Sequence, residues 1–382
     1  MSQAIALARK GTALTHPNPM VGAVLVKEDR IIGEGFHVFD RLDHAEIAAL
    51  NQAAGNARGA SLYVSLEPCC TTGRTGPCTK AIIEAGIKKV YIAMKDPNPR
   101  VAGGGLAILK RAGIDVQLLG DHRPDARELN EAFAKWILTK EPFVTLKSAM
   151  TLDGYIAPSG RSSKRATAIS GGESHEYVQR IRHASDALIT GIGTALADNP
   201  LLTDRTGEPR RRKLLRVVLD SQLRLPLKSN LAKSAKDDVL VFTTKPAGSA
   251  KARVLAKAGV EIFHASARRG RIDLREVLAE LAKREMLSVL IEAGAEVNGA
   301  ALEAGIVDKL ILFYAPKVML AGGVPFARAL SKAKPRLSSR TQDTLKNIPS
   351  LMNVKLDRCG ADFVVQGYFL DVYRDHGTRR KN

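Results

Sequence analysis

"SLEPCCTTGRTGPCTK", residues 65–80, holds three of the four cysteines in a chain of 382 residues. Its left end continues "SLYVSL" (61–66) and reads as a β-strand that stops at Pro68-Cys69. Its right end starts a helix at about Cys78. Upstream, "DHAEIAAL" (43–50) opens another helix at about His44. Helix N-termini carry partial positive charge and unpaired N–H groups, which favour a thiolate, the form of cysteine that binds Zn²⁺. His44, Cys69 and Cys78 together offer one imidazole and two thiolates. That set leaves one of four tetrahedral positions open, which marks a catalytic rather than a structural zinc. Cys69 and Cys70 are adjacent and point in different directions, so they do not serve one tetrahedral ion together. A redox role is the weaker reading, because neighbouring cysteines are poorly placed for a disulfide and no Cys-x-x-Cys occurs.

Glu46 lies two residues past His44, near the metal without being a ligand. A His-x-Glu followed by Pro-Cys and a second Cys is the signature of zinc deaminases that act on nucleobase-like rings. Zinc acidifies the water that attacks the ring, and Glu46 carries the proton from that water to the leaving ammonia.

Outward from this stretch the first third alternates strands and helices. A helix covers about 3–10, and strands occupy "MVGAVLV" (20–26) and "RIIGEGFHV" (30–38), with a turn at Glu28 and Asp29. After the helix at His44, the strand at 61–66 and the helix at Cys78 come the strand "KKVYIAM" (88–94), a helix from about Gly105 and the strand "DVQLL" (115–119). This order predicts a layered α/β domain with some parallel pairing. "DARELNEAFAKWILTKEP" (125–142) reads as one helix ending before Pro142, and the domain junction is placed there. A second α/β series runs from "FVTLKSAM" (143–150) to "KLILFYAP" (309–316), interrupted by polar or basic loops at 157–172 and 206–213. The expected domains are 1–140 and 141–374, followed by a basic tail at 375–382.

Lys plus Arg is 58 against 39 Asp plus Glu, a net charge of +19. Such a balance suits anionic partners: phosphorylated small molecules, nucleotides or nucleic acid. Four cysteines in so long a chain make no disulfide framework, and no run approaches a membrane span. A cytoplasmic protein is expected. A nucleic-acid deaminase with a basic accessory domain is the alternative reading. Against it stand an aromatic content of 5% and the lack of any nucleic-acid-binding motif. A zinc-stabilised module without catalysis is a third reading, and Glu46 argues against that one.

The eight-residue gap between Cys69 and Cys78 resembles the deaminase domain of the bifunctional riboflavin-biosynthesis deaminase–reductase. So do "THPNPMVGAV" (15–24), "DPNP" (96–99) and "VAGGG" (101–105). "LKSAMTLDGYIA" (146–157), "ALITGIGTALADNPLLTDR" (187–205), "LIEAGAEVNGAAL" (290–302) and "APKVMLAGG" (315–323) are similar to the same enzyme's reductase. The resemblance implies a cytidine-deaminase-like three-layer domain followed by a dihydrofolate-reductase-like α/β domain. The first would deaminate 2,5-diamino-6-ribosylamino-4(3H)-pyrimidinone 5′-phosphate with Zn²⁺, and the second would reduce the ribosyl chain to ribityl with NADPH. It further implies a homo-oligomer that binds neither nucleic acid nor membrane.

By the same resemblance His44, Cys69 and Cys78 are the zinc ligands, Glu46 is the proton shuttle and Asn18 holds the pyrimidine. Arg182, Leu202, Arg205 and Glu292 are implied substrate contacts. Ala168, Thr194, Asp198, Ser221, Gly294, Ala295, Glu296, Val297, Asn298 and Gly299 are implied cofactor contacts. Lys147 and Asp153 stand close enough in sequence to line the same cleft, and the basic residues at 210–213 are candidates for a 2′-phosphate. The chain departs from the family at Cys70-Thr71-Thr72, where a serine and a substrate-contacting histidine are usual, and at Ala168, where a tryptophan is usual.

Overall fold

The computed structural model describes all residues except 121–123, 159–167, 247, 269, 321, 330–348 and 374–382. The expected tail at 375–382 and most of the loop at 157–172 therefore lie outside the described residues. The chain forms two compact units. The first is Met1–Lys140 with Pro209–Arg212 and, among the described C-terminal residues, Val372 and Tyr373; the second is Glu141–Glu208 and Lys213–Asp371.

The first unit comprises α1 (Ser2–Arg9), β1 (Gly22–Lys27), β2 (Arg30–Phe36), α2 (Ala45–Gln52), β3 (Ser61–Val64), α3 (Cys78–Glu84), β4 (Lys89–Ile92), α4 (Gly104–Arg111), β5 (Asp115–Leu118), α5 (Pro124–Leu129) and α6 (Glu131–Thr139). Its sheet has the order β2-β1-β3-β4-β5, with β1 antiparallel to both neighbours and β3, β4 and β5 parallel. Glu28 and Asp29 both have positive φ, 50° and 57°, as a two-residue hairpin that follows the strand twist requires. One face of the sheet carries α2, α3 and α4 over Leu25, Leu62, Val64, Val90 and Ile92. The other carries α1, whose Ala4 and Leu7 cover Val24. Three layers result. The α2 backbone lies directly on β2 because a Cβ on Gly33 or Gly35 would come within 2.2 Å of the carbonyl of Ala49 or Ala45. That close approach fixes where α2 begins, and so where His44 and Glu46 stand.

The stretch at 125–142 is two helices, not the single one its periodicity predicts. They break at Asn130, which is buried at 2% exposure. Its side chain accepts from Met20 N–H at 2.8 Å and donates to Met20 C=O at 3.0 Å. A polar side chain buried there satisfies itself only by pairing with main chain 110 residues away.

The second unit comprises β6 (Phe143–Thr151), β7 (Tyr155–Pro158), α7 (Gly172–His183), β8 (Ala187–Gly191), α8 (Ile192–Asp198), β9 (Leu215–Leu219), α9 (Asn230–Lys233), β10 (Val239–Thr243), α10 (Ala250–Lys257), β11 (Val260–His264), β12 (Ala267–Arg268), β13 (Arg271–Ile272), α11 (Leu274–Lys283), β14 (Ser288–Ile291), α12 (Ala295–Glu303), β15 (Lys309–Ala315), β16 (Gly323–Pro325), β17 (Met352–Cys359) and β18 (Asp362–Tyr368). The main sheet runs β11-β10-β9-β8-β14-β6-β15-β18-β17. All pairings from β11 through β15 are parallel, and the β17–β18 hairpin adds antiparallel strands at one side. Fully buried runs such as "VLVFT" in β10 are what a parallel sheet covered on both faces demands. β14 inserts between β6 and β8. The carboxyl ends of these strands open onto the crevice where ligands of such sheets bind.

Candidate active sites

The first site lies in the first unit, where α2 and α3 begin. His44 is the residue before α2, in extended conformation, and Cys78 is the first residue of α3. His44 Nδ1 lies 3.2 Å from Cys78 Sγ and 3.5 Å from Cys69 Sγ. The three ligand atoms all fall within 4.8 Å of one another, the geometry of three donors around one ion. Cys78 N–H points at Cys69 Sγ at 3.3 Å, so the start of α3 supports a negative sulfur there. The hydrogen bond from Cys78, aided by His44, draws the Cys69 pKa down to about 4, and the same bond pushes Cys78 up. The bond to Cys69 also raises His44 above the ordinary imidazole value. Two sulfurs and one ring nitrogen thus converge, and a divalent cation of zinc type is the group this donor set fits. Cys70 is half-buried, and burial raises its thiol pKa. It is not a member of the ligand cluster found among the described residues.

Glu46 is 3% exposed on the first turn of α2. Burial raises its pKa to about 7, with His44 opposing. A carboxyl near neutrality can both take and return a proton at working pH.

Asn18 Nδ2 lies 3.0 Å from His37 Nε2, and His37 Nδ1 lies 2.9 Å from the Asp43 carbonyl. A carbonyl only accepts, so Nδ1 carries the proton and Nε2 accepts from Asn18. This fixes the amide of Asn18 with its Oδ1 turned away from His37. Burial lowers the His37 pKa, which keeps the ring neutral. The His37 ring meets that of His44 edge-on, with centroids 5.3 Å apart. Sequence reading did not single out His37, which stands at the end of a predicted strand with no motif around it.

Behind the cysteine loop lies a brace. Glu67, 3% exposed, accepts from the N–H groups of Asp96 at 3.3 Å, Gly103 at 2.9 Å and Leu106 at 3.2 Å. It therefore caps α4 and binds it to the residues just before Cys69. A Cβ on Gly105 would come within 2.2 Å of Pro68 O, and one on Gly104 within 2.8 Å of Cys70 Sγ. "DPNP" and "VAGGG" thus shape the support of the cysteine loop. Asp96 Oδ1 accepts from Asn98 N–H at 2.8 Å to close the turn between them.

The second site is a cleft of about 910 Å³ in the second unit. Thr194, Asp198, Ser221, Gly294, Ala295, Glu296 and Val297 line it, as do Arg182, Leu202, Glu292 and Lys147. Four of the implied substrate and cofactor contacts do not. Ala168 is exposed outside the cleft. Arg205 is exposed, its N–H donating to Gln179 Oε1 at 2.9 Å. Asn298 and Gly299 are buried in the body of α12, and Asn298 Nδ2 donates to Phe326 O at 2.8 Å. The first turn of α12, and Ala300 one turn further on, reach the cleft, and the N–H groups of that first turn suit a phosphate. Asp153 instead binds the N–H groups of Met319 and Leu320 at 2.8–3.1 Å. The residues at 210–213 are also outside; besides Arg182, the arginines that line the cleft are Arg224, Arg271 and Arg328.

Arg182 was read as a phosphate holder, but its fork is engaged. Nε and Nη2 donate to the two carboxylate oxygens of Glu292 at 2.8 and 2.9 Å. Lys147 Nζ stands 3.7 Å from the same carboxylate. Burial lowers the Lys147 pKa, with Glu292 opposing. Burial alone would raise Glu292, yet Lys147 and Arg182 hold it below the ordinary carboxylate range. Arg182 thereby orients Glu292 toward the cleft.

Comparison with known proteins matches residues 1–94 to the cytidine and deoxycytidylate deaminase zinc-binding region and residues 142–348 to the RibD C-terminal domain. The riboflavin biosynthesis protein RibD of Actinobacillus pleuropneumoniae is 42% identical over 323 residues, covering 85% of this chain and 84% of that one. RibD of Bacillus amyloliquefaciens is 38% identical over 362 residues, 95% and 93% of the two chains. A solved Thermotoga maritima structure, described as a diaminohydroxyphosphoribosylaminopyrimidine deaminase/5-amino-6-(5-phosphoribosylamino)uracil reductase, superposes with a TM-score of 0.79 at 34% identity, covering 96% and 97% of the chains. No helix among the described residues is long and apolar enough to cross a membrane. With a three-donor metal cluster in one unit, a phosphate-suited cleft in the other and relatives alike over nearly the whole length, the chain belongs to the RibD family, the bifunctional enzymes of riboflavin biosynthesis that join a deaminase to a reductase.

Proposed function

We propose that the first unit hydrolyses the 2-amino group from 2,5-diamino-6-ribosylamino-4(3H)-pyrimidinone 5′-phosphate. The second then reduces the ribosyl chain of the product with NADPH. The observation that carries the first half is a buried carboxyl of near-neutral pKa, Glu46, beside the His44, Cys69 and Cys78 donors. Zinc held by these three would supply a Lewis acid that acidifies water. Asn18, locked by His37, presents Oδ1 to the edge of the pyrimidine. Glu46 takes the proton of the attacking water and returns it to the departing ammonia.

In the second unit the first turn of α12 receives a cofactor phosphate, and Thr194, Asp198 and Ser221 line the cleft around the rest of the dinucleotide. Lys147 and the Arg182–Glu292 pair present charge and hydrogen bonds to the sugar hydroxyls. Arg224, three residues past Ser221 on the same turn, reads the 2′-phosphate of NADPH. The enzyme acts in the cytoplasm as a homo-oligomer on a small phosphorylated substrate. The test supplies purified protein with the diaminopyrimidinone ribotide, with and without NADPH. Ammonia release without NADPH, followed by NADPH oxidation dependent on the deaminated product, is the expected result. Absence of both would reject the assignment.

A further inference from the structure

The basic residues at 210–213 do not line the cofactor cleft, and one of them has a place elsewhere. Pro209–Arg212 belongs to the first unit, as a short excursion between two stretches of the second. Arg211 ties this excursion down. Its main-chain N–H donates to Ala13 O at 3.0 Å. Its side chain is 22% exposed. Nη1 donates to His16 O at 3.0 Å and Nε to Asp40 Oδ1 at 3.1 Å. The guanidinium carbon stands 3.8 Å from the centre of the Phe39 ring. Asp40 is 67% exposed, so its ion pair alone holds little. The bonds to main chain and the stacking on Phe39 make the stronger part of the clamp.

The two segments so joined, 13–18 and 37–40, carry Asn18 and His37. Phe39 N–H donates to Leu14 O at 3.1 Å, and Asn18 N–H to Thr15 O at 2.8 Å. Asn18 Nδ2 and His37 Nε2 meet at 3.0 Å. The pair of segments is therefore tied at one end by Asn18 and His37 and at the other by Arg211. Ala13 has a φ of 59°. A left-handed alanine persists only where its surroundings impose it, and the Arg211 N–H on its carbonyl is such a hold.

We propose that Arg211 is a positioning residue of the deaminase, setting the loop from which Asn18 meets the pyrimidine. This rests on the reading of Asn18 as the residue that holds the ring. Nε and Nη1 of Arg211 are engaged by Asp40 and His16, so its effect passes through the loop and Asn18. An arginine from the stretch between α8 and β9 thus completes a site whose other named residues all precede residue 80. A group that orients a binding contact acts on ground state and transition state alike, so its loss raises KM and leaves kcat.

The test is steady-state ammonia release from the diaminopyrimidinone ribotide by the full chain carrying zinc. Arg211→Ala is expected to raise KM about tenfold, as loss of one good contact to Asn18 would, with kcat held. Zinc per chain and reductase turnover should match wild type, which shows both units folded. Asn18→Ala raises KM by itself, and in that background Arg211→Ala should add less than about twofold, the coupling of two residues that act as one. Arg211→Lys keeps the charge but cannot hold Asp40 and His16 together, so its KM should lie between wild type and Arg211→Ala. If Arg211→Ala fails to retain zinc, Arg211→Lys alone and with Asn18→Ala carries the same test. A wild-type KM in Arg211→Ala or in Arg211→Lys overturns the proposal. Effects that multiply in the double variant also overturn it, since Arg211 would then attract the anionic ribotide by charge, independently of Asn18. Asn18→Ala with a wild-type KM overturns the Asn18 reading and this role with it, whereas a wild type that releases no ammonia rejects the assignment of the first unit.

Discussion

Replacing Glu67 with glutamine tests whether the brace behind the cysteine loop supports the metal site. The carboxylate accepts three main-chain N–H groups, with Oε2 serving Asp96 and Gly103 and Oε1 serving Leu106. Glutamine has one acceptor oxygen. If that oxygen keeps Asp96 and Gly103, its NH₂ faces the Leu106 N–H, donor against donor. One charge-assisted bond is then lost, at roughly 1.5–3 kcal/mol, and two weaken to neutral bonds. The site is 3% exposed, so water does not make up the loss. The sum is about 3 kcal/mol, which lowers the melting transition of a unit of this size by about 6–12 °C. Differential scanning calorimetry of Glu67→Gln reads this shift directly. Because Glu67 stands two residues before Cys69, zinc competition with a chelator is expected to show weaker retention. Reductase turnover, whose cleft lies in the other unit, is the internal control and should be unchanged. A first-unit transition within 1 °C of wild type, with unaltered zinc retention, would refute the reasoning.

Three further outcomes follow from the same geometry. Cys70→Ser should keep one zinc per chain, whereas Cys69→Ser or Cys78→Ser should lose it, as metal analysis after gel filtration would show; zinc lost from Cys70→Ser would contradict the assignment. Glu292 is held below the ordinary carboxylate value near 4.3, so its contribution is present above that value and drains away as pH falls through its lower folded pKa. Glu292→Gln strands the buried charges of Arg182 and Lys147, and urea unfolding of the second unit at pH 7 should show a loss of about 3–5 kcal/mol. The deficit should narrow in acid, and equal stability at pH 7 would rule out the pair as described. Arg224→Ala should raise KM for NADPH about tenfold while leaving KM for NADH in place, the loss of one charge-assisted phosphate contact; equal effects on both cofactors would remove Arg224 from the 2′-phosphate.

The order of the main strands and helices up to β15 was readable from the chain because it rests on local patterns. Alternating apolar residues in "SLYVSL", the Gly-bearing "RIIGEGF" and the helix starts at His44 and Cys78 each announce themselves within a few positions. The zinc donors and Glu46 were readable for the same reason, since their chemistry is tied to the starts of helices. The hairpin of β17 and β18 was not recognised, because its outer strand lacks a buried face and so lacks the alternation that marks one. Asn130 broke an expected helix through a partner 110 residues away.

Residue types and spacing by themselves determined the layered α/β character and the three-donor metal cluster, while the pairing of a deaminase with a reductase came from the resemblance of the motifs to a known family. Tertiary structure alone decided which contacts those residues make. It paired Arg182 with Glu292, 110 residues distant. It set neutral His37 to hold Asn18, gave Glu67 to the start of α4, and brought Arg224, Arg271 and Arg328 to the cleft instead of the residues at 210–213. The physical reason is the same in each case. A buried polar group must find a partner wherever the fold supplies one, and that partner's distance along the chain leaves no periodic trace in the sequence.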